Sequence, residues 1–172
     1  MRKQYKKKPF LTVKSVPISV SVAGFSLVEV LIVVAILGIM AAIIYPEYQN
    51  AAQKAKEATA KENLRVLREA IERYCIDHDG IPPGYFANKI TEIPASGNVK
   101  IQLVSSTAKY LMALPKNPFN NFATLLVLED ATDFPSEPLQ TTVYGWIYKP
   151  SEKTIKLNWT GTDSEGTKYF NY

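Results

Sequence analysis

Residues 25–45 (FSLVEVLIVVAILGIMAAIIY) are 21 consecutive residues, apolar apart from Ser26 and Glu29. As a helix this run spans about 32 Å, close to the hydrocarbon thickness of a bilayer. The flank before it is basic: residues 1–24 carry Arg2, Lys3, Lys6, Lys7, Lys8 and Lys14 and no acid, a charge of +6. Positive charge on the N-terminal side leaves that terminus in the cytoplasm and sends the remainder across. An ordinary signal peptide has a shorter apolar core followed by a small-residue cleavage motif. Here the small residue, Gly24, precedes the apolar run. Cleavage after it leaves the apolar helix on the mature chain.

The formal net charge of +4 resides in the arm, because residues 25–172 hold fourteen basic and sixteen acidic side chains, a net of −2. Nucleic-acid binding requires a basic face on the folded part, so no nucleic-acid partner is expected and the arm reads as a topogenic or targeting segment. One Cys excludes an intrachain disulfide, and one His excludes a His-rich metal site. The chain has no G-x-S-x-G, H-E-x-x-H or P-loop motif, which leaves a membrane-anchored enzyme as the weakest alternative.

Glu29 is the anomaly. A carboxylate in a membrane segment costs about 2.5–3.5 kcal/mol at mid-bilayer and less near the interface. It either lies shallow enough to reach headgroups or finds a positive partner. If the chain is cut after Gly24, such a partner appears as a new α-amine on Phe25, and the amine of a neighbouring subunit would then neutralise Glu29 during assembly. Ala35, Gly38 and Ala42, at spacings of 3 and 4, place small residues on one helix face, where another helix packs closely; generic membrane-helix composition explains them equally. Pro46 lacks the N–H for an intrahelical bond, so a helix break, as a kink or local melting, is expected there.

Gly24-Phe25-Ser26-Leu27-Val28-Glu29 and the apolar run after it resemble the leader junction of type IV pilins and type II secretion pseudopilins. In that family a membrane aspartic peptidase cuts after the Gly and methylates the new N-terminal Phe. The resemblance therefore implies processing at Gly24 and Phe25 and subunit recognition at Glu29. It implies partners too: identical or homologous subunits in a filament, the prepilin peptidase/methyltransferase, and an inner-membrane assembly platform with its cytoplasmic ATPase. The implied location is the bacterial inner membrane, single-pass, with the C-terminal part in the periplasm and then in a filament. It also implies that the stretch from Gly38 to Pro46 loses helical order on assembly.

Beyond Pro46 the sequence reads as helix to about Asp77, roughly 80 Å when counted from Phe25. That is too long for a lone globular domain of 172 residues, so its first half must be buried in a membrane or among like helices. Ala60, Leu64, Leu67, Ile71 and Tyr74 recur at 4, 3, 4, 3, an amphipathic stripe. Glu69 and Arg73, four apart, support the polar face. Gly80 and Pro82-Pro83 end the helix. Cys75 reads as a buried small apolar side chain, and Asp77-His78-Asp79 as solvated helix-terminus chemistry without the partners a metal site needs.

The chain divides into a cleaved basic leader (1–24), a transmembrane and assembly helix (25–45), an amphipathic helix entering a soluble domain (46–79), and loop and sheet (80–172). In the last part a short strand at Val99–Val104 and a short helix at Thr107–Leu114 are expected. Strands are expected at Ala123–Glu129, Val143–Tyr148 and Thr154–Thr160, the last two forming a hairpin around 149–153. Ile155, Leu157 and Trp159 alternate with Lys156 and Asn158, so one face is buried, against the Leu64/Leu67/Ile71 stripe. A helix laid on a small antiparallel sheet is an α+β roll, the pilin-like architecture. The segment Tyr110–Phe119 (YLMALPKNPF) resembles a loop-and-short-helix region of major pseudopilins, favouring a major secretion pseudopilin over a pilus pilin for adhesion, motility or DNA uptake. The resemblance covers residues 20–80 well, ten residues in the middle, and the rest in outline.

No cofactor is required. Oxygen-rich loops such as Thr162–Gly166 bind Ca²⁺, and the resemblance implies a calcium site here, with Asp163 and Glu165 as ligands. The full acidic pattern is absent, and the same residues also fit a plain polar turn. Asn158-Trp159-Thr160 matches a glycosylation sequon within a strand.

Overall fold

The computed structural model describes residues 24–104, 109–139 and 143–172. The basic leader lies outside the described residues. The chain forms two compact units, within Met1–Ile43 and Ile44–Tyr172. Helix α1 (Leu27–Asp77, 51 residues) runs through both.

In the first unit every described residue is exposed. In the second, α1 contributes Ala60, Leu64, Leu67, Ala70, Ile71, Tyr74 and Cys75 to the core. The five positions of the sequence stripe and the cysteine are all buried, because a 4, 3, 4, 3 spacing keeps them within one face of a 3.6-residue helix. Pro46 lies inside α1. The residues on both sides of it are helical, and the proline removes one amide donor there. Glu69 pairs with Arg65 rather than Arg73, and Arg65 also holds Glu62 at 2.7 Å. The helix stops where Gly80, at φ 84°, donates its N–H to Cys75 O at 2.8 Å, an αL closure of the kind glycine permits.

Three strands form one sheet in the order β1 (Leu125–Val127), β2 (Trp146–Lys149), β3 (Thr154–Leu157). β2 and β3 are the expected antiparallel hairpin, with Trp146 opposite Leu157 and Tyr148 opposite Ile155. β1 pairs parallel to β2, so the sheet is mixed rather than antiparallel. The long connection between them, residues 128–145, gives the chain room to return in the same direction. All four β2 residues are buried. Trp146 and Tyr148 join Leu125, Ile155, Leu157 and the α1 stripe, whereas Ile147 joins Leu128 and Phe170 in a smaller cluster. The architecture is α+β.

Two expected elements differ. Ser96–Leu103 is a helix, α2, in place of the strand at Val99–Val104. The β-branched Val99, Ile101 and Val104 suggest a strand, but Val99 and Leu103, four apart, are the buried pair and Ile101 is 77% exposed. Gln102 fixes that helix by accepting from Gly84 N–H at 2.6 Å and donating to Tyr85 O at 2.8 Å. The expected helix at Thr107–Leu114 is absent over residues 109–114, and 105–108 lie outside the described residues. Leu111 instead donates its N–H to Leu103 O at 3.0 Å, which extended backbone favours over a helical turn.

Asn117 is fully buried and organises the segment before β1. Its Nδ2 donates to Gly145 O at 3.1 Å, and its Oδ1 accepts from Phe119 N–H at 2.9 Å. Gly145 is required beside it, because a Cβ there collides with Phe122 O. Asn117→Ala removes the acceptor of the Phe119 N–H, at about 1–3 kcal/mol, and Leu67→Ala opens a core cavity costing about 2–5 kcal/mol. Urea denaturation of the detergent-solubilised full chain should show both losses, with Met112→Ala, an exposed position, close to wild type.

Candidate assembly site

Gly24, Phe25 and Ser26 precede the first helical residue, Leu27. The Ser26 carbonyl accepts the Val30 N–H at 3.2 Å. The Glu29 carboxylate turns back and accepts the Ser26 N–H at 3.4 Å. This is the carboxylate half of a capping box, in which an acid three residues on satisfies a donor at the helix start. The Ser26-x-x-Glu29 spacing is the sequence signal for it, and it adds a local reason for Glu29. The helix dipole favours a negative charge in the first turn. The carboxylate therefore points back toward the backbone at the start of the helix.

Ala35, Gly38 and Ala42 are exposed, and a Cβ built on Gly38 meets nothing within 4 Å. Large apolar side chains surround them, also exposed: Leu31, Val34, Leu37, Ile39 and Ile43 among others. α1 is the one helix among the described residues long and apolar enough to cross a membrane. The site in this unit is thus a surface, with Gly24, Phe25 and Glu29 at its start and the small residues further along.

Asp163 and Glu165 lie in the second unit. Asp163 is buried and its carboxylate accepts four hydrogen bonds. Thr167 N–H (2.8 Å) and Glu165 N–H (2.9 Å) reach Oδ1; Tyr172 OH (2.8 Å) and Lys61 Nζ (3.3 Å) reach Oδ2. Glu165 is exposed and contributes its backbone rather than its carboxylate. Glu57, buried on α1, accepts from Tyr169 OH at 2.8 Å and Ser164 Oγ at 3.1 Å. Among the described residues no group of three or more His, Cys, Asp or Glu side chains converges as a metal site would require. With donors saturating both Asp163 oxygens and an ammonium beside one, this set does not fit a calcium ion.

Asp77 is more engaged than a solvated terminus: it accepts from Lys109 at 3.0 Å and Tyr110 OH at 2.8 Å. His78 stacks on Tyr74, with ring centroids 3.9 Å apart. The Asn158 side chain is buried and donates to Tyr144 O at 3.0 Å, which removes it as a glycosylation acceptor in the folded chain.

Residues 21–45 match the family described as the prokaryotic N-terminal methylation motif. The type II secretion system core protein G of Pseudomonas aeruginosa is 29% identical over 99 residues, covering 58% of this chain and 69% of that protein. Its counterpart in Aeromonas hydrophila is 28% identical over 104 residues, covering 58% and 68%. The type IV major pilin of Myxococcus xanthus is 39% identical over 85 residues, covering 49% of this chain and 38% of the pilin. No solved structure matches the chain at a significant level. The motif and these relatives make the chain similar to pilins and pseudopilins. A match of 99 residues exceeds the 77 from Met1 to the end of α1, so the likeness extends past the helix.

In this pseudopilin-like chain, sequence reasoning missed Glu57, Lys61 and Asn117. Glu57 and Lys61 look like ordinary exposed positions of a charged helix until the C-terminal segment is placed against them. Burial pushes the Asp163 carboxyl up, but the Thr167, Tyr172, Glu165 and Lys61 donors outweigh it and bring it from 3.8 to about 2. Glu57 is likewise desolvated, and hydrogen bonds from Tyr169, Ser164 and Gln53 still hold it below its ordinary 4.5. A depressed carboxyl adds stability above its ordinary pKa and loses it as pH falls through the folded value. The melting midpoint should therefore fall on acidification from pH 4.5 toward about 2, and Asp163→Asn should flatten the lower part of that profile.

Proposed function

We propose that this chain is a structural subunit of a type II secretion pseudopilus. It is made as a membrane precursor, cut after Gly24 by a prepilin peptidase, methylated at Phe25, and polymerised with like subunits on an inner-membrane platform. The filament it builds crosses the periplasm and assists protein export mechanically. It is not an enzyme in this reading.

The observation that carries the proposal is the first half of α1: fully exposed, apolar, and starting with a carboxylate turned toward the N-terminal end. Such a surface needs a membrane before assembly and neighbouring helices after it. A like subunit supplies both an apolar face and an amine for Glu29.

The type IV pilus is the second reading, supported by the 39% identity to the Myxococcus pilin. Coverage favours secretion, since the core protein G relatives are matched over 69% and 68% of their length and that pilin over 38%. Deleting the gene should abolish export of a secreted protein while leaving any surface pili intact; loss of pili with normal export supports the second reading.

Glu29→Val tests the assembly role. It removes a charge that costs about 2.5–3.5 kcal/mol in mid-bilayer, so insertion and cleavage should be preserved. Filament formation should be lost, read as absence of sheared filaments beside a normally processed membrane pool. Normal filaments from that variant contradict the role given to Glu29.

A further inference from the structure

The C-terminal segment, residues 161–172, is tied to one face of α1 by four side chains: Gln53, Glu57, Lys61 and Arg68. They stand at i, i+4, i+8 and i+15, which keeps them near one line on the helix. Gln53 donates to Tyr169 OH at 2.6 Å, and that hydroxyl donates to Glu57 at 2.8 Å. Glu57 also accepts from Ser164 Oγ. Lys61 reaches Asp163 and lies 4.7 Å from the centre of the Tyr172 ring. Arg68 donates to Tyr172 O at 2.5 Å and Ile155 O at 3.4 Å.

Within the segment, Asp163 closes its own turn. Its carboxylate takes the Glu165 and Thr167 amides, its N–H donates to Thr167 O at 2.8 Å, and Gly166 at φ 87° completes the reversal. The Asp163 side chain is 1% exposed. A carboxylate so withdrawn from water requires a nearby positive charge or dense hydrogen bonding, and it has both. An exposed Lys–carboxylate pair contributes little, but removing the cation from a buried carboxylate leaves an uncompensated charge.

We propose that this face of α1 is a metal-free clamp for the C-terminal segment, in which the Lys61 ammonium, backed by Tyr172, provides the positive charge that a calcium ion would otherwise bring to Asp163. The clamp sets the register of residues 161–172 on α1 and makes folding of this end independent of divalent cations. The inference concerns folding and holds whether or not the filament reading does.

The test is thermal unfolding and limited trypsin digestion of the full chain in detergent, in excess EGTA and in millimolar Ca²⁺, using wild type, Lys61→Met and Tyr172→Phe. The wild-type midpoint and digestion rate should be the same in both media. Lys61→Met, which retains the stem and removes the charge, should lower the midpoint by about 2–6 °C and speed cleavage within 161–172 in both media. Tyr172→Phe removes one donor and should shift both readouts in the same direction by less; it decides the matter if Lys61→Met does not fold. A wild-type midpoint raised by Ca²⁺, or a Lys61→Met chain (Tyr172→Phe in its place) indistinguishable from wild type, overturns the proposal.

Discussion

The apolar surface of the first half of α1 has no cover within its own described chain, and the rest of the molecule follows from that. Fifteen large apolar side chains between Phe25 and Tyr45 are each at least 50% exposed. Covering the remainder of each is worth on the order of 1 kcal/mol. Their sum far exceeds the roughly 3 kcal/mol that one carboxylate costs in a membrane. The helix is therefore driven into a bilayer or a bundle of like helices despite Glu29, and Glu29 becomes a term that distinguishes one apolar environment from another.

The second half of the same helix solves a different problem. It buries one stripe against a three-stranded sheet and presents a line of polar side chains to the C-terminal segment. One continuous element thus carries the exposed apolar surface, the domain core and the docking line. Within the second unit the helix register matters twice, since the line at Glu57 and Lys61 and the stripe at Ala60 and Leu64 share turns.

Much of this was legible because helical spacing is a strong local signal. The stripe, the stop at Gly80 and the β2–β3 hairpin depend on neighbours in sequence. What local patterns left obscure depended on distant partners. α2 carries strand-like residues, yet Gln102 finds Gly84 and Tyr85 across the fold, and helix wins. The parallel β1–β2 pair follows from where the 128–145 connection returns, which no periodicity encodes. Asn117 and Asp163 look like ordinary polar loop residues until their buried partners are known. At the N-terminus, the Gly24-Phe25 junction and Glu29 stood out in sequence, while the carboxylate turning back onto Ser26 needed the structure.

In the proposed reading the apolar helix is retained on a processed subunit whose new N-terminus lies beside Glu29. The most direct measurement is the N-terminal residue and intact mass of the protein purified from its native membrane. The expected result is a chain beginning at Phe25 with one added methyl group on its amine. A chain still beginning at Met1 in cells with an active prepilin peptidase contradicts it and leaves a plain signal-anchored protein.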